Sequence, residues 1–310
     1  MNVRKSLWHT VGMGFFTLGL EREVHRRAGR VDDTLPRVST KGHFRVRWGE
    51  TNGQPRATGI PPIALVERMG RVELQPGHTY TDYDVLGDFP EPEDVDELTV
   101  FVHGWLADPD SSLGRISMMR GALHKGGDYE HDVVGFTWDS DGQGLGWRHG
   151  NEIAAKNGGK LAQFTYDYGE RHDVPIRYVT NSAGARPALE ALRVLQRSGE
   201  RDAVESVSML GAAVDSRSVA RGGRYYKGVR DSAKAVHNYW IRHDGTLNEY
   251  YRAAELEDAL GGTGAKGETP DGYEDHNVNS VPDHFSYFRK GHGCIERVVE
   301  DFERTSEERR

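Results

Sequence analysis

From Leu98 to Ile241 the sequence alternates short apolar runs with longer stretches of helical spacing, a rhythm that few folds accommodate. The runs are Leu98 to Val102, Val133 to Trp138, Ile176 to Thr180, Val204 to Leu210 and Ala235 to Ile241. Each has the length and branched or aromatic content of a strand. Helical segments are expected near 115–124, 149–168 and 185–197, the last with Ala188, Leu189, Leu192 and Leu195 on one side, and a final helix near 295–302. Strands alternating with helices imply right-handed crossovers and a mostly parallel sheet with helices on both faces. Ligands then bind beyond the C-terminal ends of the strands. The expected class is α/β.

The flanks carry weaker signals. Residues 1–40 read as an N-terminal segment, in which Leu7–Leu20 resembles a signal-peptide core but is followed by Glu21-Arg22-Glu23 rather than small residues. Fourteen residues are also too few to span a bilayer, which takes about 20. Leu7, Val11, Phe15 and Leu18 share a helical face, so the alternative is a helix docked on the body. A cytoplasmic location is expected, with export or membrane contact through 7–20 as the alternative. Residues 21–40 read as a connector, and 41–302 as the folded domain, followed by a charged tail 303–310. Alternation at Phe44, Val46 and Trp48 predicts a strand, with a second near Val72–Leu74, both expected at the sheet edge.

A chain of 310 residues buries a full core without disulfide or metal staples. Its formal charge of −8, from 48 acidic and 40 basic residues, argues against a nucleic-acid partner. Cys294 is the single cysteine, so no intramolecular disulfide forms. Its place near the start of the last helix can lower a thiol pKa, but no base or resolving thiol stands beside it in sequence.

The strongest local feature is Asn181-Ser182-Ala183-Gly184 between a predicted strand and a predicted helix. A nucleophile elbow needs a sharp strand-to-helix turn with serine at its tip and small residues around it. The helix N-terminus aims N–H groups at that serine, and the Ala183 N–H is one candidate oxyanion donor. The competing reading is that Ser182 only caps the helix. Thr180 stands where such elbows usually carry their first glycine, which weakens the motif.

A second feature, His103-Gly104-Trp105, directly follows the first strand. Together with the elbow, and with Gly135–Ser140 and the helix after it, this resembles the α/β-hydrolase superfamily, in particular its lipase and esterase members. The resemblance covers about residues 96–302, and only the elbow and His-Gly motifs are specific. It implies an α/β-hydrolase fold, a structural role for His103, and a second oxyanion donor at the Trp105 N–H, with Leu106 as the near alternative. It also implies the chain order serine, acid, histidine. His284, in Val281–Phe288, is the expected base, with His276 and His292 as fallbacks. Asp244, after the run Val236–His243, is the expected acid, with Asp215 as its rival.

The expected function is a serine hydrolase acting on a small-molecule or lipid ester through Ser182, His284 and Asp244, with no cofactor. Amidases, thioesterases and acyltransferases use the same triad, and a binding module that has lost turnover is the non-enzyme alternative, favoured only by Thr180. The sequence Asp139–Gly144 looks like a calcium loop but has Gly150 where the bidentate glutamate belongs, so it reads as a Gly-rich turn beside the site. Fourteen histidines show no metal-ligand spacing. Arg217, Arg221, Arg224 and Lys227 read as a charged face. Residues 261–283 are too polar and short for an apolar lid, so no large cap domain and a fairly open site are expected.

Overall fold

The computed structural model describes residues 33–48, 70–140 and 146–307. The stretch 7–20 and most of the Gly-rich turn 139–144 lie outside these residues. No helix among the described residues is long and apolar enough to cross a membrane.

Ten strands form among the described residues: β1 (Arg37–Ser39), β2 (Phe44–Trp48), β3 (Gly70–Leu74), β4 (Asp84–Leu86), β5 (Leu98–Val102), β6 (Asp132–Thr137), β7 (Ile176–Asn181), β8 (Val204–Leu210), β9 (Ala233–Trp240) and β10 (Tyr273–Asn277). Eight of them make one sheet in the order β10-β9-β8-β7-β5-β6-β1-β4. Every pairing in it is parallel except that of β1 with the short edge strand β4.

The five apolar runs of the sequence are the centre of this sheet, and their neighbouring residues serve opposite faces. Val100 and Val102 of β5 join one core and Phe101 the other; Tyr178 and Val179 of β7, and Met209 and Leu210 of β8, divide in the same way. Such a sheet has no wet face, which is why these strands are largely apolar and why the polar side chains they do carry, such as Arg177 and Ser206, are buried. Helices α2 (Trp147–Phe164), α3 (Ala185–Ser198) and α4 (Tyr226–Ser232) supply the first core. Helices α1 (Pro109–Gly126) and α5 (Ile295–Glu307) supply the second. Arg177, buried in β7, fastens α5 to the sheet: it donates to Glu97 Oε1 at 2.7 Å and to Ser306 Oγ at 2.6 Å, and stacks on Phe302.

Three expectations for the flanks need correction. β2 and β3 pair only with each other, in a separate two-stranded ribbon, rather than extending the sheet edge. The edge is built instead from β1 and β4, and β1 comes from the supposed connector, so the folded body already includes Arg37. Its Arg37-Val38-Ser39 is too short to show a period. At the other end α5 runs through the supposed tail to Glu307.

Because β5 lies between β6 and β7, the chain leaves β5 over the face of α1 and leaves β7 over the face of α3. The two exits diverge and open a crevice at the C-terminal ends of these strands. His103-Gly104-Trp105 and Ser182 sit at those ends.

Candidate active site

Ser182 directly follows β7 and has φ of +55°, in the left-handed region. A non-glycine residue is held there only when its surroundings demand it. The demand comes from packing: Ser182–Gly184 form one tight turn that runs into α3. A Cβ on Gly184 would lie 2.2 Å from the Val102 carbonyl oxygen and 2.7 Å from that of His103. The start of α3 thus rests directly on the end of β5, with no room for a side chain. Gly184→Ala is expected to destabilise the fold by about 3 kcal/mol, because the opposing atoms are backbone and cannot swing aside; urea denaturation measures it. Thr180 fits without displacing α3, fully buried inside β7 opposite Val102 and Met209.

The loop after β5 meets this turn. A Cβ on Gly104 would come within 3.1 Å of the Ser182 Cβ. The loop is fixed peptide by peptide. His103 Nδ1 lies 2.9 Å from the Gly104 carbonyl oxygen, so the Nδ1–H tautomer donates to it. Burial, with the Lys41 and Arg115 charges, holds the imidazole well below its usual pKa, and it is neutral. Since a trans peptide points its C=O and N–H in opposite directions, the Trp105 N–H is turned away from the buried ring. The next peptide is held from both sides: Arg115 donates to the Trp105 carbonyl at 3.0 Å, and Leu106 N–H donates to the Ser140 carbonyl at 2.7 Å. Leu106, the alternative donor, therefore has its N–H engaged inside the fold. The indole of Trp105 packs edge-on against Trp147, which meets Tyr251 in the same manner.

An eight-stranded, mostly parallel sheet delivers a left-handed serine from a central strand straight into a helix. This is an α/β-hydrolase fold. No protein-family model and no curated protein sequence matches the chain. Among solved structures, lipase B of Aspergillus fumigatus is similar at a TM-score of 0.42 and 12% identity, over 63% of this chain and 50% of the lipase, so the match spans half of that protein. A type II thioesterase of the yersiniabactin pathway gives 0.36 at 13% identity, covering 70% of this chain and 97% of its own. A cutinase-like protein from Cryptococcus sp. gives 0.36 at 12%, covering 69% and 96%.

Asp244 and His284 meet in the interior. His284 Nδ1 lies 2.7 Å from Asp244 Oδ2, with both side chains buried. Asp244 does not end its strand as expected; β9 stops at Trp240, and the aspartate stands four residues on, at the head of a helical turn. There Oδ1 accepts from the Leu247 N–H at 2.9 Å. Both oxygens are thus committed, one to the backbone and one to the imidazole, which fixes the carboxylate in place. With Nδ1 donating, Nε2 of His284 is the acceptor nitrogen, and it is buried without a hydrogen-bond partner, that of Ser182 included.

The loop after β8 touches both the elbow and the segment that carries His284. Ala213 N–H donates to the Ser182 carbonyl at 3.0 Å, and a Cβ on Gly211 would touch the Tyr287 ring at 2.8 Å, three residues beyond His284. The loops after β7, β8, β9 and β10 leave from the same, C-terminal end of the parallel strands.

The remaining candidates stand elsewhere. Asp215 is half-buried and accepts from the Arg217 N–H at 2.9 Å as a turn cap. His292 is exposed in a turn before α5. His276 lies in β10 beside His237. Arg221 and Arg224 are paired with Glu268 and Glu190. Cys294 directly precedes α5 and is buried, and that burial pushes its thiol pKa up, as for a structural cysteine. Arg115, Ser140 and the Leu247 amide escaped the sequence reading, since each acts by holding backbone and carries no motif of its own.

Proposed function

We propose that the protein is a serine hydrolase that cleaves carboxylic esters through Ser182, His284 and Asp244. The observation that carries this reading is the buried Asp244–His284 pair, whose remaining imidazole nitrogen has a lone pair and no partner. A general base needs that lone pair free and its ring held in one tautomer, which Asp244 provides. The left-handed Ser182 at the elbow supports the nucleophile's role.

In the proposed reaction His284 Nε2 takes the Ser182 hydroxyl proton as Oγ attacks the ester carbonyl carbon. Asp244 stabilises the imidazolium that results. The oxyanion accepts from the N–H groups of Ala183, at the start of the helical turn, and Trp105, whose N–H is turned away from the His103 ring. Collapse of the tetrahedral intermediate expels the alcohol, protonated by His284, and leaves an acyl-Ser182. Water then attacks with His284 again as base, releasing the acid and restoring the serine.

A fluorophosphonate probe tests the nucleophile. One equivalent should attach at Ser182, located by peptide mass, and folded protein that stays unlabelled rules the reading out. A panel of p-nitrophenyl esters, a thioester and an anilide then separates the acyl classes, with the esters turned over fastest.

A further inference from the structure

His237 and His276 are 39 residues apart, and only the register of two parallel strands brings them together. Glu274 of β10 pairs with His237 of β9, and His276 pairs with Tyr239, so all four side chains lie on one face of the sheet. That is the face α5 covers, and Asp301 of α5 comes down onto them. His237 Nδ1 and His276 Nε2 stand 3.1 Å apart; Glu274 Oε2 is 3.7 Å from the first and 3.6 Å from the second. Asp301 Oδ2 is 3.4 Å from His276 Nε2. One donor atom from each of the four residues falls in a group no wider than 4.8 Å.

We propose that His237 Nδ1, His276 Nε2, Glu274 Oε2 and Asp301 Oδ2 bind one divalent ion of the zinc class, fastening edge strand β10 and helix α5 to the sheet. A tetrahedral ion with bonds of about 2.0–2.2 Å sets its ligand atoms roughly 3.3–3.6 Å apart; four of the six separations here, 3.1 to 3.7 Å, lie close to that range, and the other two are within 4.8 Å, so Asp301 Oδ2 closes in on ion binding. Two imidazoles and two carboxylates are a ligand set that zinc accepts. The carboxylates are already oriented, as ligands in metal sites usually are. Arg304 donates to Glu274 at 2.7 and 2.8 Å and to Asp301 Oδ1 at 2.8 Å. Tyr239 O–H and Arg297 Nε donate to Asp301 Oδ2 at 2.7 and 3.2 Å.

A second group of similar composition, His43, His78 and Asp82, lacks this property. Buried Lys160 Nζ fills its centre, donating to His43 Nδ1 at 3.0 Å, to the Thr79 and Asp82 carbonyls at 2.6 and 2.9 Å, and to the Asp82 carboxylate. An ammonium holds the cation position there. At the β9–β10–α5 site the guanidiniums of Arg304 and Arg297 bond the carboxylates, at Glu274 Oε2 and Asp301 Oδ2, and the two imidazole nitrogens contact each other rather than an ammonium.

The test uses the untagged full chain, stripped with a chelator and titrated with Zn2+ against a chromophoric competitor. One equivalent should bind and raise Tm, and Co2+ in its place should give the intense visible band of a four-coordinate ion. His276→Gln and Glu274→Gln should each weaken Zn2+ binding by at least about tenfold and lose most of the Tm gain. Glu274 is 44% exposed, so its variant folds even if the buried site tolerates His276→Gln poorly. No stoichiometric uptake by folded protein, or uptake and Tm gain unchanged in Glu274→Gln, overturns the proposal. None of these readouts depends on esterase activity.

Discussion

Replacing Ser182 with alanine is expected to lower kcat on the best ester substrate by on the order of 10,000-fold or more, with the fold retained. The magnitude follows from what is lost: with no hydroxyl, His284 has no proton to take and no acyl-enzyme forms. What survives is the contribution of the oxyanion donors and substrate binding, which in serine hydrolases amounts to a modest residue over water. The fold is retained because alanine meets the same left-handed backbone as serine at φ of +55°, and the packing of Gly184 on β5 is untouched. Steady-state kinetics and a thermal melt are needed together. Activity within tenfold of the parent, in a variant that melts normally, would remove Ser182 from the chemistry.

Asp244→Asn should cost nearly as much, about 10,000-fold in kcat, for a different reason. The amide keeps the shape of the carboxylate, and its oxygen can still accept from the Leu247 N–H, so the turn after β9 is preserved. Its NH2, however, faces His284 Nδ1, which must then become the acceptor. The ring proton moves to Nε2, and the base has no lone pair to offer. Asp215→Asn is the matched control: its carboxylate caps a turn at Arg217, and turnover should stay within about twofold. Equal losses from the two substitutions, or a large loss from Asp215→Asn alone, would reverse the assignment of the acid.

The sequence is most informative where the chain is buried on both sides. Strands β5 to β8 are legible because a strand with two covered faces is mostly apolar, and a short run rich in branched apolar residues bounded by polar loops fits little else. β10 is not legible, since Tyr273-Glu274-Asp275-His276-Asn277 is a polar edge strand whose pairing is decided by its neighbour β9. β1 is hidden in a charged segment for the opposite reason: three residues between two strands carry too little pattern to see. The place of Cys294 in the chain suggests a helix-start thiol, whereas its pKa is set by burial among groups distant in sequence.

What the sequence determined by itself is the order of the parts: a parallel α/β layering, a serine in a strand-to-helix turn, a His-Gly loop before it, and an aspartate and a histidine after it. These depend on local composition and spacing, which one-dimensional patterns record. Only the tertiary structure decided which atoms meet. It committed both oxygens of Asp244, left Nε2 of His284 without a partner, and turned the Trp105 N–H away from the His103 ring through the His103–Gly104 bond. It also moved His276 from the alternatives for the base to a cluster with His237. The reasons are long-range: strand register for the His237–His276 cluster, backbone N–H and C=O groups for the Asp244 and Trp105 contacts, and the meeting of two loops 40 residues apart for His284, none of which a local side-chain pattern reveals.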